Sequence, residues 1–109
     1  MKLTFMYTPT TNLSPMIAFY RDTLGWSEAW REGDDTVAFR VPDSEVQVMV
    51  SLTDQPVGPM YLVDSVEAFL TETAGLTVSI EPYEIPDGTV AGLADPAGNT
   101  FYVFDQAQA

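Results

Sequence analysis

At 109 residues the chain has the length of one domain, enough to bury a single core and too short for two independent ones. Sixteen acidic residues against four basic ones give a net charge of −12 at pH 7, a field that repels nucleic-acid phosphates and anionic membranes, so neither is an expected partner. Cysteine and histidine are absent, which removes disulfides, thiolate nucleophiles, the commonest general base and all nitrogen or sulfur metal ligands.

The start, Met1-Lys2-Leu3-Thr4, has one positive charge and no long apolar stretch, unlike a secretory leader. No apolar run approaches the roughly 18 residues that span a bilayer. A soluble, cytoplasmic protein is expected. Leu3 to Thr8 reads as an opening strand, turned at its exit by Pro9, Thr10, Thr11 and Asn12. From Leu13 to Leu24 the period changes: Leu13, Met16, Ile17, Phe19, Tyr20 and Leu24 recur at spacings of three, four and seven, as on an amphipathic helix. Asn12 or Ser14 caps it, Pro15 suits its first turn, and Gly25 ends it.

Three extended stretches follow, Trp26 to Glu32, Thr36 to Val41 and Glu45 to Leu52, separated by Gly33-Asp34-Asp35 and Pro42-Asp43-Ser44. In the last, Val46, Val48 and Val50 alternate with Gln47, Met49 and Ser51, so the valine face is expected to meet the helix and the other face is mixed. Thr53 to Gly58 reads as a linker. The order then returns: a strand from Met60 to Val63, a helix from about Ser65 to Ala74 ended by Gly75, and strands Thr77 to Tyr83, Thr89 to Ala94 and Thr100 to Phe104. Asp87-Gly88 and Asp95 to Asn99 supply turns. Ala18-Phe19 with Gly25 matches Ala68-Phe69 with Gly75 at a displacement of 50 residues, which suggests an internal repeat. The expected domain, 1–109, is thus module one (about 1–52), a linker (53–58) and module two (about 59–105).

Three segments carry a family resemblance: Leu13 through Trp26, Tyr61 through Val66, and Asp95-Pro96-Ala97-Gly98-Asn99-Thr100-Phe101-Tyr102. The first resembles the helix end, and the third the Asp-Pro-x-Gly-Asn hairpin and last strand, of the vicinal oxygen chelate superfamily. That superfamily includes glyoxalase I, extradiol dioxygenases, fosfomycin-resistance enzymes and bleomycin-binding proteins. The resemblance implies an α+β fold in which two βαβββ modules form a curved mixed sheet with a cleft, and it leaves the chemistry open.

In metal-dependent members the ligands are His, Gln or Glu on inward-facing strand positions. Carried over, these positions fall on Phe5 or Tyr7, on Gln47 or its neighbours, on Gly58 or Met60, and on Tyr102. Only Gln47 is a plausible cation donor, and one neutral oxygen does not make a site. No metal or other cofactor is therefore expected, although Glu28, Glu32 and Glu45 remain as oxygen donors with no evident reason to converge. The candidate ligand-binding residues are Phe5, Tyr7, Trp30, Gln47, Met49, Met60, Tyr102 and Phe104, a set suited to a flat or apolar molecule; the same side chains could instead fill a core or a dimer interface.

Three functions are compatible with this reading. The first is a metal-free, bleomycin-resistance-like protein that sequesters a small aromatic or cationic metabolite or antibiotic. The second is a metal-independent isomerase or lyase, with Glu28, Glu45 or Asp105 as base by residue type and Tyr102 as acid. The third is a non-catalytic interaction subunit. The resemblance and the aromatic faces favour a homodimer.

Overall fold

The computed structural model describes residues 1–106; the last three positions of the expected 1–109 domain lie outside the described residues. The fold is α+β, with the element order strand, helix, three strands occurring twice. Contacts divide the chain into two units, one spanning Thr4–Val57 and the other comprising Gly58 onward together with Met1–Leu3.

The first unit contains all but the first two residues of β1 (Lys2–Thr10), together with α1 (Leu13–Ile17), β2 (Glu28–Glu32), β3 (Thr36–Arg40) and β4 (Gln47–Leu52). Its strand order is β2-β3-β4-β1, antiparallel except for the parallel pairing of β1 with β4. Pro9 does not end β1: it stays in register with Ser51. Asn12 is the helix cap, accepting from the Ser14 N–H at 3.2 Å. The helix does not run evenly to Leu24. After Ile17 it widens into a π-helical turn, Ala18–Thr23, in which the Leu24 N–H donates to the Phe19 carbonyl five residues back. Gly25 follows with φ 74°, a left-handed conformation that glycine adopts without steric cost.

As expected, the valine face meets this helix. Val37, Phe39, Val48 and Val50 are buried beneath Leu13, Met16, Ile17, Tyr20 and Trp26. Tyr20 stacks on Phe39 at 5.4 Å between centroids and meets Trp26 at the same distance in a tilted arrangement. Trp26 thus belongs to the core, and β2 begins two residues later than expected.

The second unit contains β5 (Gly58–Leu62), α2 (Val66–Glu72), β6 (Thr77–Ile85), β7 (Gly88–Ala94) and β8 (Thr100–Phe104). Its order is β5-β8-β7-β6, again with one parallel pair, β5 with β8. Gly58, expected in the linker, opens β5 and is buried there. Ser65 caps α2 by accepting from the Ala68 N–H. Val63, Val66, Ala91, Leu93 and Val103 form the core, with Phe69 and Leu70 of α2 packed against it.

The two units correspond residue by residue, though not through the displacement read from the sequence. The caps Asn12 and Ser65 are 53 residues apart, and the same displacement relates the parallel pairs Tyr7–Met49 and Met60–Tyr102. It also matches Met16 and Ile17, packed on one core, with Phe69 and Leu70, packed on the other. Cap to glycine spans thirteen residues in the first unit (12 to 25) and ten in the second (65 to 75). The helical segment of the first unit, α1 with its wide turn, is longer than α2 (Leu13–Thr23 against Val66–Glu72), so the Ala-Phe identity at a displacement of 50 joins places that are not equivalent.

Candidate functional site

Cross-strand partners share a face of a sheet, and so do residues two apart on one strand. The register therefore places Phe5, Tyr7, Gln47, Met49, Ala38 and Trp30 on the face of the first unit that the helix does not cover. Phe5 stands beside Gln47, and Tyr7 beside Met49, so both register alternatives for the opening strand lie on this one face, a pleat apart.

Trp30 is positioned by an irregularity. Between Glu28, opposite Phe39, and Trp30, opposite Ala38, β2 carries an extra residue, a bulge of the kind that re-aims a side chain. Ala38 is fully buried and small, which lets the indole cross β3 above it. Trp30 Nε1 donates to Gln47 Oε1 on β4 at 2.9 Å, and the ring meets Phe5 on β1 edge to face at 5.8 Å between centroids. With strands about 4.8 Å apart, one side chain reaches over two neighbouring strands. Trp30, Gln47, Phe5 and Met49 all remain half-buried. Tyr7 is buried, and its hydroxyl donates to Gln55 Oε1 at 3.1 Å.

Sequence reasoning passed over one residue here. Arg40 lies opposite Gln47 and two residues from Ala38, hence on the same face, and its Nη1 donates to the Glu28 backbone carbonyl at 2.9 Å. An arginine at a strand end reads as a solvated charge; its only signal was the two-residue spacing from Ala38, which acquires meaning once the strand pairing is known.

In the second unit Met60 is the register partner of Tyr102, and Leu62 of Phe104. Met60, Tyr102 and Phe104 share the face opposite α2, and all three are buried. A depression of about 420 Å³ lies on the other face, walled by Tyr61, Phe101, Asp95 and Asn99; none of the eight sequence candidates lines it. Its carboxylate is occupied, because Asp95 Oδ1 accepts the Ala97 and Asn99 N–H groups and Oδ2 accepts Asn99 Nδ2. These bonds hold the Asp95 carboxyl below its ordinary value.

The residues at the superfamily's metal positions do not fit a divalent cation. Gln47 Oε1 already accepts from Trp30. Gly58 stands 53 residues from Phe5, and a Cβ added there would collide with the Thr100 carbonyl, so no donor side chain fits that place. Tyr102 is fully buried and Met60 nearly so. Among the described residues no three His, Cys, Asp or Glu converge.

Two of the three carboxylates proposed as bases, Glu28 and Asp105, have other tasks. Glu28 forms a two-point ion pair with Arg31 at 2.7 and 3.2 Å, and the Arg31 hydrogen bond lowers its pKa, opposite to what a base poised near neutrality needs. Asp105 Oδ2 accepts the Val66 N–H at 2.7 Å and Oδ1 the Thr89 N–H at 2.9 Å, tying helix and strand together.

No protein-family model matches the sequence, and no curated protein matches it. Solved structures do. An NAD-dependent benzaldehyde dehydrogenase chain from Legionella pneumophila superposes with TM-score 0.77 at 12% identity, covering 94% of this chain and 97% of that one. A Streptomyces coelicolor methylmalonyl-CoA epimerase variant, in complex with 2-nitronate-propionyl-CoA, gives 0.76 at 14%, covering 98% of both. An extradiol ring-cleaving dioxygenase from B. fuscum gives 0.65 at 16%, covering 99% of this chain and 33% of that one. Epimerase and dioxygenase are vicinal oxygen chelate proteins, and this chain has their fold. Their different reactions show that the fold does not choose the chemistry. No helix in the described residues is long and apolar enough to cross a membrane.

Proposed function

We propose that this chain is a small-molecule-binding protein of the glyoxalase and bleomycin-resistance type, which holds a small aromatic metabolite or antibiotic without a metal and without transforming it. The observation that carries this reading is Trp30, bulged out of register and spread across its sheet to Gln47 and Phe5 while still half-exposed. An indole fixed on one side by a hydrogen bond and an aromatic edge gives a flat ligand a rigid surface to stack on, at little entropic cost. Met49 supplies an adaptable apolar neighbour. A cationic ligand draws support only from the net charge of −12, which acts at long range. The isomerase reading is weakened by the ties of Glu28 and Asp105.

The test is a titration of the full chain with aromatic metabolites, neutral and charged, bleomycin-type glycopeptides included, followed by tryptophan fluorescence. Saturable quenching at one ligand per chain, with the ligand recovered unchanged and the response lost in Trp30→Phe, is the expected result. Absence of any response, or recovery of an altered ligand, sinks the proposal. A homodimer in the cytoplasm is part of the same proposal; sedimentation equilibrium giving a monomer mass at micromolar concentration refutes the dimer.

A further inference from the structure

Arg40 differs from the chain's two other arginines. Of four basic side chains among sixteen acidic ones, Arg21 is paired with Asp22 and Arg31 with Glu28. Arg40 is bound to no carboxylate among the described residues; its partner is the Glu28 backbone carbonyl. The carboxylate of that same Glu28 is held by Arg31 through both oxygens. Nη1 is thus tethered by a neutral acceptor, while Nε and Nη2, the edge that binds carboxylates in two-point fashion, remain as donors.

Gln47 is in the same situation from the other side. Its register partner is Arg40, and its Oε1 accepts from Trp30 Nε1. That bond fixes the orientation of the amide and leaves the Nε2 hydrogens as a second pair of donors on the residue opposite Arg40. Phe5 and Trp30 complete the same face. The corner therefore offers donors from two neighbouring residues and an aromatic surface, with acceptors already consumed internally.

We infer that Arg40 and Gln47 form the recognition corner for the carboxylate of an aromatic acid whose ring stacks on Trp30. This deepens the proposed function and rests on it: the ligand class becomes an arene carboxylate, not the cation that net charge alone suggests. The overall negative field opposes the encounter at long range, but within a Debye length of about 8 Å at physiological salt the unopposed guanidinium dominates. The geometry is that of a charge-assisted bond with fixed donors.

The experiment uses the full chain labelled with 15N, the Trp30 indole resonance and the Gln47 side-chain amide resonances as reporters, and four probes: benzoate, benzyl alcohol, benzyltrimethylammonium and acetate. Benzoate is expected to shift both sets saturably and to bind more tightly than benzyl alcohol. Arg40→Gln should weaken benzoate about tenfold, the worth of one charge-assisted bond, while leaving benzyl alcohol unchanged; Arg40→Lys should recover part of the loss. Arg40 is exposed at a strand end, and an unchanged amide spectrum will show that the variant folds. If benzyl alcohol or the cation binds as well as benzoate, or Arg40→Gln binds benzoate undiminished, the carboxylate corner is wrong although the aromatic-binding reading survives. If none of the aromatic probes shifts Trp30, both fall. Acetate binding as tightly as benzoate also overturns the inference, since the ring would then contribute nothing.

Discussion

Asp105 shows how one side chain can be misjudged by type and understood by its bonds. A carboxylate just past the last strand reads as a free acid, yet it accepts the first N–H of α2 and the Thr89 N–H of β7. The first is a donor that a helix leaves without an internal partner, and negative charge is favoured there. Replacing Asp105 by Ala leaves two part-buried N–H groups unsatisfied and should cost about 2–3 kcal/mol, measured as a loss of urea-unfolding free energy at constant slope. A loss under about 0.5 kcal/mol, the size of an ordinary surface change, would show that water replaces both bonds. Asp95 makes a prediction about pH. Its folded pKa is depressed, chiefly by the bond from the Asn99 N–H, so its contribution to stability is complete above the ordinary carboxylate value and is lost as pH falls through the depressed one. A carbon-detected NMR titration should find Asp95 still ionised at pH values where an ordinary aspartate is half protonated; a midpoint at the ordinary aspartate value would mean that the turn's hydrogen bonds form only fleetingly.

At the level of elements, periodicity made strands, helices and their order legible, because burial on one face imposes a repeat of two or of 3.6 residues. The alternation that ends Val48, Val50 named the face that α1 covers. What the sequence could not carry was anything set by an irregularity. The wide turn at Ala18–Thr23 has no sequence marker, and with it the first helical segment runs longer than the second. The bulge before Trp30 decided that the indole crosses to Gln47, whereas the sequence offered Trp30 only as a possible extension of the wall. Arg40 was passed over because its relation to Gln47 exists only through the pairing of β3 with β4. The corrected correspondence has a consequence for the two matched phenylalanines. Phe69 packs on the core of its unit, whereas Phe19 is 47% exposed. Phe69→Ala should destabilise by about 2–3 kcal/mol, somewhat below the range for fully buried rings, and Phe19→Ala by less than about 1 kcal/mol. Equal losses in the two variants would restore the displacement of 50.

For the whole molecule the dominant quantity is charge. Sixteen carboxylates and four cations give −12, so the folded chain carries a self-repulsion that the extended chain relieves. Salt bridges offset little of it: Arg21–Asp22 and Arg31–Glu28 are both exposed, and such pairs contribute at most about 1 kcal/mol each. Screening therefore acts on two opposed terms of unequal size. Raising sodium chloride from about 10 to 150 mM shortens the Debye length from about 30 to 8 Å, which weakens repulsion between distant carboxylates far more than attraction between atoms about 3 Å apart. The expected outcome is a melting temperature that rises by a few degrees over this range and a urea midpoint that moves the same way. The range stays below the concentrations at which salts alter apolar hydration appreciably, so the sign reports charge alone. A control separates repulsion from specific ion binding: substituting Glu67→Gln and Glu72→Gln on α2, both exposed, makes the net charge less negative and should reduce the salt dependence whether the cation is sodium, potassium or tetramethylammonium. A melting temperature that falls with salt would mean that close ion pairs such as Arg21–Asp22 and Arg31–Glu28 outweigh the field of twelve excess charges.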